Sequence, residues 1–296
     1  MKIFGFTCTY NEEDYIPYVM PYVEAFGYDK FFVYDNGSTD ATVELLKKYP
    51  FVEVYNWDTG GMFNDHAKSM LQQESFKWAK EYANEHKEEV WFTFTDFDEV
   101  LFYNGDVSIK KALEEDREWR NYNCFYKNMV NIFQPAKYNN IYSGDEEDPW
   151  LKAWTQFLPN KFPHSHAGIR ASMWVGGMKP TLICVNDFKE LTALPGNHYA
   201  FIKLEEGKKI KNYDDCCRLY GFHLKFIDKM ALKKKWEGYA ARGKEVYVEN
   251  LKKFDEIYEA QYSVSFPLED YFLADAVRSK LWTGDLPYHG LIPQGF

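Results

Sequence analysis

Val90-Trp91-Phe92-Thr93-Phe94-Thr95-Asp96-Phe97-Asp98-Glu99-Val100 is the stretch on which the fold turns. Six bulky, β-favouring residues run straight into three carboxylates within four positions. An apolar run of this length and composition reads as a buried strand. Side chains two apart on an extended segment point the same way, so Asp96 and Asp98 are expected to share a side and Phe97 to face the other. Open α/β sheets bind ligands just outside the carboxyl ends of their strands. Two carboxylates leaving a core are costly unless a cation or hydrogen bonds meet them. A hard divalent ion, Mg²⁺ or Mn²⁺, suits oxygen ligands and is often shared with substrate phosphates. The plain alternative for Asp-x-Asp is a helix cap or a solvated turn.

Working back towards the start, Lys2 to Thr9 reads as a buried strand ending in the polar cluster Tyr10-Asn11-Glu12-Glu13-Asp14. A helix then runs to about Phe26, where Gly27 stops it; Pro17 and Pro21 require it to start late or to kink. Lys30 to Tyr34 is a second strand, followed by Asp35-Asn36-Gly37-Ser38-Thr39-Asp40 as turn and cap for a helix over Ala41–Lys48. Phe51 to Asn56 is a third strand, and Phe63 to Glu88 a long helix leading into the opening stretch. Strands alternating with helices imply a parallel sheet with right-handed crossovers.

Beyond the opening stretch the signals thin out. A helix is expected from the cap at Asp106-Val107-Ser108 to about Trp119, and strand character over Asn123–Phe133, 171–175 and 181–186. Residues 134–160 read as a long surface excursion. Helical patterns cover 228–236 and Val246–Tyr258, and the aromatic, Pro/Gly-punctuated tail from Pro267 is expected to pack on the body. The expected architecture is α/β: a doubly wound, mostly parallel sheet with helices on both faces and a helical C-terminal extension. Its divisions are 1–225, split into a nucleotide-binding half (1–105) and an acceptor-side half (106–225), and the extension, 226–296.

Hydrophobic residues at 46% and charged residues at 27% leave ample material for a globular core in 296 residues. A net charge of −10 argues against general nucleic-acid binding, which needs a positive footprint. Five cysteines, an odd number with no C-x-x-C, argue against a disulfide framework or zinc site and for a reducing compartment. Neither a leader nor an apolar run of membrane-spanning length is seen, so the expected location is cytoplasmic, with peripheral contact at the inner membrane face left open. Lys225, Lys229, Lys233, Lys234, Lys235 and Arg242 form a basic run that reads first as a solvated helix face, and otherwise as a contact for diphosphate or anionic membrane.

Three motifs then fall at the ends of the first, second and fourth strands: Thr9-Tyr10-Asn11-Glu12-Glu13, Tyr34-Asp35-Asn36-Gly37-Ser38-Thr39-Asp40 and Asp96-Phe97-Asp98-Glu99. Together they resemble glycosyltransferases of the family 2 type with the GT-A fold, over about residues 1–105. Gly196-Asn197-His198 and Gly221-Phe222-His223-Leu224-Lys225-Phe226 are similar to late His-bearing elements in a subgroup of those enzymes. The resemblance implies that Thr9, Asn11, Glu12 and Asp35 contact the nucleoside. Asp96 would meet ribose or metal and Asp98 the metal on the diphosphate, with His223, or else His198, as a further ligand. It also implies inversion, with a carboxylate base downstream. Asp187 and Glu190 lie in that zone, and Asp65 is a third option.

The expected activity is transfer of a sugar from a nucleotide-diphosphate donor, a UDP-sugar foremost, to a hydroxyl of a glycan or lipid-linked saccharide, with Mn²⁺ or Mg²⁺. A sugar-phosphate nucleotidyltransferase should carry a Gly-rich basic loop after the first strand, where this chain is acidic and Gly-free. A glycoside hydrolase needs carboxylates flanking a bond at roughly 5 Å or more, which two acids on one strand face do not provide. An inactive carbohydrate-binding protein would bind sugar without metal.

Overall fold

A computed structural model describes residues 1–60, 64–103, 108–115, 122–127, 129–133, 170–173, 179–193, 200–207, 212–213, 219–263 and 266–267. The first half follows the expected alternation: β1 (Lys2–Thr9), α1 (Ile16–Phe26), β2 (Lys30–Asp35), α2 (Thr42–Leu46), β3 (Val52–Asn56), α3 (Asp65–His86) and β4 (Val90–Asp96). Pro17 falls in the first turn of α1, where its missing N–H costs nothing, whereas Pro21 lies inside the helix. Gly27 ends it at φ 83°. The side chain of Asn64 accepts from Ala67 N at 2.9 Å and caps α3.

The second half is more strand-rich than the sequence suggests. It contains β5 (Glu99–Tyr103), α4 (Ile109–Glu115), β6 (Cys124–Lys127), β7 (Met129–Phe133), β8 (Arg170–Met173), β9 (Lys179–Cys184), β10 (Phe188–Ala193), β11 (Ala200–Leu204), β12 (Asn212–Tyr213) and β13 (Leu219–His223). Helices α5 (Lys229–Ala241), α6 (Glu245–Lys252) and α7 (Phe254–Ser263) and the short β14 (Phe266–Pro267) complete the described chain. The tail beyond Pro267 and the excursion over 134–160 lie outside the described residues.

The fold is α/β with a mixed central sheet in the order β12-β6-β9-β4-β1-β2-β3. Strands β1 to β4 are parallel to one another, whereas β9 runs antiparallel between β4 and β6. A second sheet has the order β14-β8-β7-β13-β5. The ranges 1–105 and 106–225 therefore interleave: β9 pairs with β4, and β5 pairs with β13.

Period-two alternation explains the layers. On β1, Ile3 faces a core built with α1, while Phe4 and Phe6 face a core built with α3. On β4, Trp91 joins the first core and Val90, Phe92 and Phe94 the second. Helices thus cover both faces of the parallel strands. Each fully buried Phe contributes about 1.5–3 kcal/mol.

Gly5 is where β1 cannot carry a side chain. A Cβ there would come 2.5 Å from Phe31 Cδ2 and 2.8 Å from Tyr28 Cε1. Gly5→Ala is expected to destabilise the protein by about 1–3 kcal/mol through overpacking, read as a lower denaturant midpoint with unchanged slope; an unshifted midpoint would show that the two rings yield freely.

Candidate active site

A cavity of about 510 Å³ opens at the carboxyl edge of β1 to β4. Its size suits a small-molecule ligand. One wall is Thr9–Glu12 after β1 with Asn36 and Trp57; the floor is Asp96–Glu99; the opposite wall comes from α5, α6 and the end of β13.

The loops after β1 and β2 are laced together. Asn11, at φ 52°, donates its N–H to Ser38 Oγ (2.9 Å) and accepts from Thr39 N through Oδ1 (2.8 Å). Glu12 N donates to Thr42 Oγ1 (2.7 Å), and Glu13 N to Asp40 Oδ2 (3.2 Å). Asp35 is buried and accepts from Ser38 N at 3.1 Å. Its neighbour Asn36, rather than Asp35, reaches the cavity wall, with Oδ1 accepting both Thr59 N and Thr59 Oγ1 at 2.8 Å. Asp35 therefore closes a turn and does not line the cavity, whereas Asn36 does.

The acidic motif departs from simple alternation. β4 ends at Asp96, and Phe97-Asp98 turn the chain into β5 and the second sheet. The two carboxylates consequently take different partners. Asp96 Oδ1 pairs with Lys68 of α3. Asp98, 6% exposed, accepts from Lys235 Nζ of α5 at 3.1 Å, and His223 Nε2 lies 3.7 Å from the same oxygen, Oδ2. Lys235 also reaches Glu12 Oε1 at 2.7 Å. Burial alone would push the Asp98 carboxyl up, but Lys235, His223 and Lys225 overcome it and hold it well below the usual carboxylate range. Burial works against the ammonium of Lys68 too, and Asp96 outweighs it, so that ammonium stays charged.

His223 is placed by strand register. It lies opposite Glu99 on β5 and opposite Asn131 on β7. Its Nδ1 donates to Asn131 Oδ1 at 2.9 Å, which fixes the ring and turns Nε2 towards Asp98. Among the described residues, no three His, Cys, Asp or Glu side chains form a ready-made metal cage. His198 lies outside the described residues.

Among the described residues, two buried polar atoms on the cavity wall have no hydrogen-bond partner: Thr9 Oγ1 and Glu12 Oε2. Each leaves a hydrogen bond for a ligand to make. Burial raises the Glu12 carboxyl to about 7, with Lys235 pulling it back and Asp98 pushing it further up.

The three candidate bases separate. Asp65 lies in the first turn of α3 on the cavity wall, 3.9 Å from Lys244 Nζ. Asp187 does not reach the cavity. It follows β9, whose antiparallel course sets Cys184 opposite Trp91, about 16 Å along β4 from Asp96, and Asn123 Nδ2 holds it at 2.9 Å. Glu190 is exposed on the β10–β11 hairpin, 4.0 Å from Lys203. Both lie away from the site because β9 reverses direction, which the sequence pattern did not reveal.

The basic run is only in part a solvated face: Lys229 and Lys233 do not line the cavity and Lys234 is exposed. Lys225, Lys234, Lys235 and Arg242 reach the cavity wall, joined by Lys244, and Lys234 pairs with Glu13 and Asp14. Lys68 and Asn131 escaped the sequence reading because their roles arise only when α3 and β7 are folded against β4 and β13. Compared with protein-family models and with curated proteins, the chain gives no match to either.

An acid whose folded pKa is raised contributes stability that is complete below its unfolded pKa, about 4.3, and lost as pH rises through the folded value. For Glu12 that window ends near 7. Glu12→Gln is therefore expected to gain on the wild type by an amount on the order of 3 kcal/mol as pH rises from about 5 to about 8. Urea melts at the two pH values check this, and a constant difference between the proteins would mean that Glu12 titrates normally.

Proposed function

We propose that the chain is a GT-A-type glycosyltransferase of the family 2 kind. It transfers a sugar from a nucleotide-diphosphate donor, a UDP-sugar foremost, to a hydroxyl of a glycan or lipid-linked saccharide. One observation carries the reading: a buried, ionised carboxylate, Asp98, beside an oriented histidine, on the floor of a cavity at the carboxyl edge of four parallel strands.

The donor set fits a divalent ion. Two ligands on one ion, each bonded at about 2.1 Å, stand roughly 3–4.2 Å apart, and Asp98 Oδ2 and His223 Nε2 stand at 3.7 Å. Carboxylate oxygen with imidazole suits Mn²⁺, and carboxylate with water suits Mg²⁺. Asp96, Asp98 and His223 would hold such an ion. When bound, it supplies Lewis-acid stabilisation of the departing diphosphate.

The remaining work falls to other side chains. Thr9 and Glu12 offer their unpartnered oxygens to donors on the nucleoside. Lys225, Arg242 and Lys244 place positive charge on the wall facing the acids. Tyr10, Trp57 and Tyr239 supply ring faces to a base or sugar. Asp65, the one of the three candidate bases on the wall, is assigned to take the proton from the acceptor hydroxyl.

The reading of a binding protein indifferent to metal draws on a different observation: Lys68 and Lys235 already neutralise Asp96 and Asp98. Titration calorimetry with UDP separates the two. Mn²⁺ is expected to tighten UDP binding by about tenfold or more, whereas equal affinity with and without the ion removes the transferase mechanism. Asp98→Asn should abolish that metal dependence. It should also cost about 3–5 kcal/mol in a urea melt, because it breaks a buried ion pair; a variant of wild-type stability that still responds to Mn²⁺ would place the ion elsewhere.

A further inference from the structure

Lys235 stands where a cation bound by the acids would have to compete with it. Its ammonium lies 2.7 Å from Glu12 Oε1, 3.1 Å from Asp98 Oδ2 and 4.7 Å from the centre of the Tyr15 ring, with the side chain 10% exposed. The contacts of Lys235 and of His223 converge on one oxygen of Asp98. A dication shared by Asp98 and His223 and an ammonium on that oxygen repel each other across a few ångströms of weakly screening surroundings. Only one of them can serve Asp98 at full strength.

The helix carrying Lys235 is anchored without it. Asp228 caps α5, accepting from Met230 N (2.8 Å) and Ala231 N (2.9 Å), and Tyr18 Oη donates to the same carboxylate at 3.1 Å. Tyr15 Oη donates to Lys225 O at 3.0 Å, and Trp236 is buried against Phe254 and Tyr247. The lysine stem is long and flexible, so its ammonium can swing while α5 stays in place. On its other side is the cavity, which Lys235 lines.

Resting on the transferase reading above, we propose that Lys235 and a divalent cation are rival counter-charges for Asp98, and that Lys235, once displaced, binds a phosphoryl oxygen of the donor. Lys235 is then both the ion's competitor and a phosphate-binding residue. Loading of the ion releases the side chain that the donor needs, so cation and donor bind cooperatively.

The test titrates Mn²⁺ alone into wild type and Lys235→Met, following free Mn²⁺ by electron paramagnetic resonance. UDP is then titrated at saturating Mn²⁺ by calorimetry. Lys235→Met is expected to bind Mn²⁺ about tenfold tighter and UDP about tenfold weaker. Glu12→Gln, close to isosteric, serves should Lys235→Met fail to fold. It leaves the ammonium to Asp98 alone and is expected to weaken Mn²⁺ binding several-fold. Unchanged or weaker Mn²⁺ binding by Lys235→Met, unchanged UDP binding, or unchanged or tighter Mn²⁺ binding by Glu12→Gln overturns the proposal. Wild type that binds no Mn²⁺ sinks the transferase reading along with it. Wild type that binds both ligands while the variants match it sinks this inference alone.

Discussion

The structure depends on keeping the Asp98 carboxylate charged inside the protein. A carboxylate removed from water loses several kcal/mol of solvation, and only close opposite charge with good geometry returns it. Lys235 provides that charge here from α5, with His223 Nε2 3.7 Å from the same oxygen at the end of β13. The helical segment after β13 is therefore joined to the loops at the carboxyl edge of the sheet electrostatically as well as by packing. Glu12 shares the same ammonium, so the loop after β1, the turn after β4 and α5 meet at one nitrogen.

Strand geometry makes this meeting unavoidable. Parallel pairing of β1 to β4 brings their carboxyl ends to one edge, and the turn at Phe97-Asp98 passes the chain from the central sheet to the second one. Register across β5, β13 and β7 then aligns Glu99, His223 and Asn131 in one row, all of them buried. A polar row of that kind is tolerated because its members are partnered within the site. Outside that row, among the described residues, Thr9 Oγ1 and Glu12 Oε2 on the cavity wall are unpartnered.

The first half was legible in the sequence because its elements are local: apolar runs of strand length and Gly27 closing α1. The edge of the site followed, since parallel strands must deliver their polar ends together. The second half was not legible. β5 continues directly from an acidic turn, β9 reverses against β4, and β6 and β7 join different sheets though one residue separates them. Those pairings are set by tertiary contact, and short strands carry no periodic signal that distinguishes partners. The same gap hid Lys68 and Asn131 and misplaced Asp187 and Glu190. It also made the lysines of α5 read as solvated, because helical spacing does not say what a helix covers.

The central claim is that Asp98 exchanges its lysine for a divalent ion when a nucleoside diphosphate enters. The most direct measurement is an anomalous-difference map from crystals grown with UDP and Mn²⁺. The account predicts a manganese peak bonded to Asp98, His223 and the diphosphate, with Lys235 moved onto a phosphoryl oxygen. An ordered diphosphate in the cleft with no manganese at Asp98, and Lys235 still paired with it, would contradict the account.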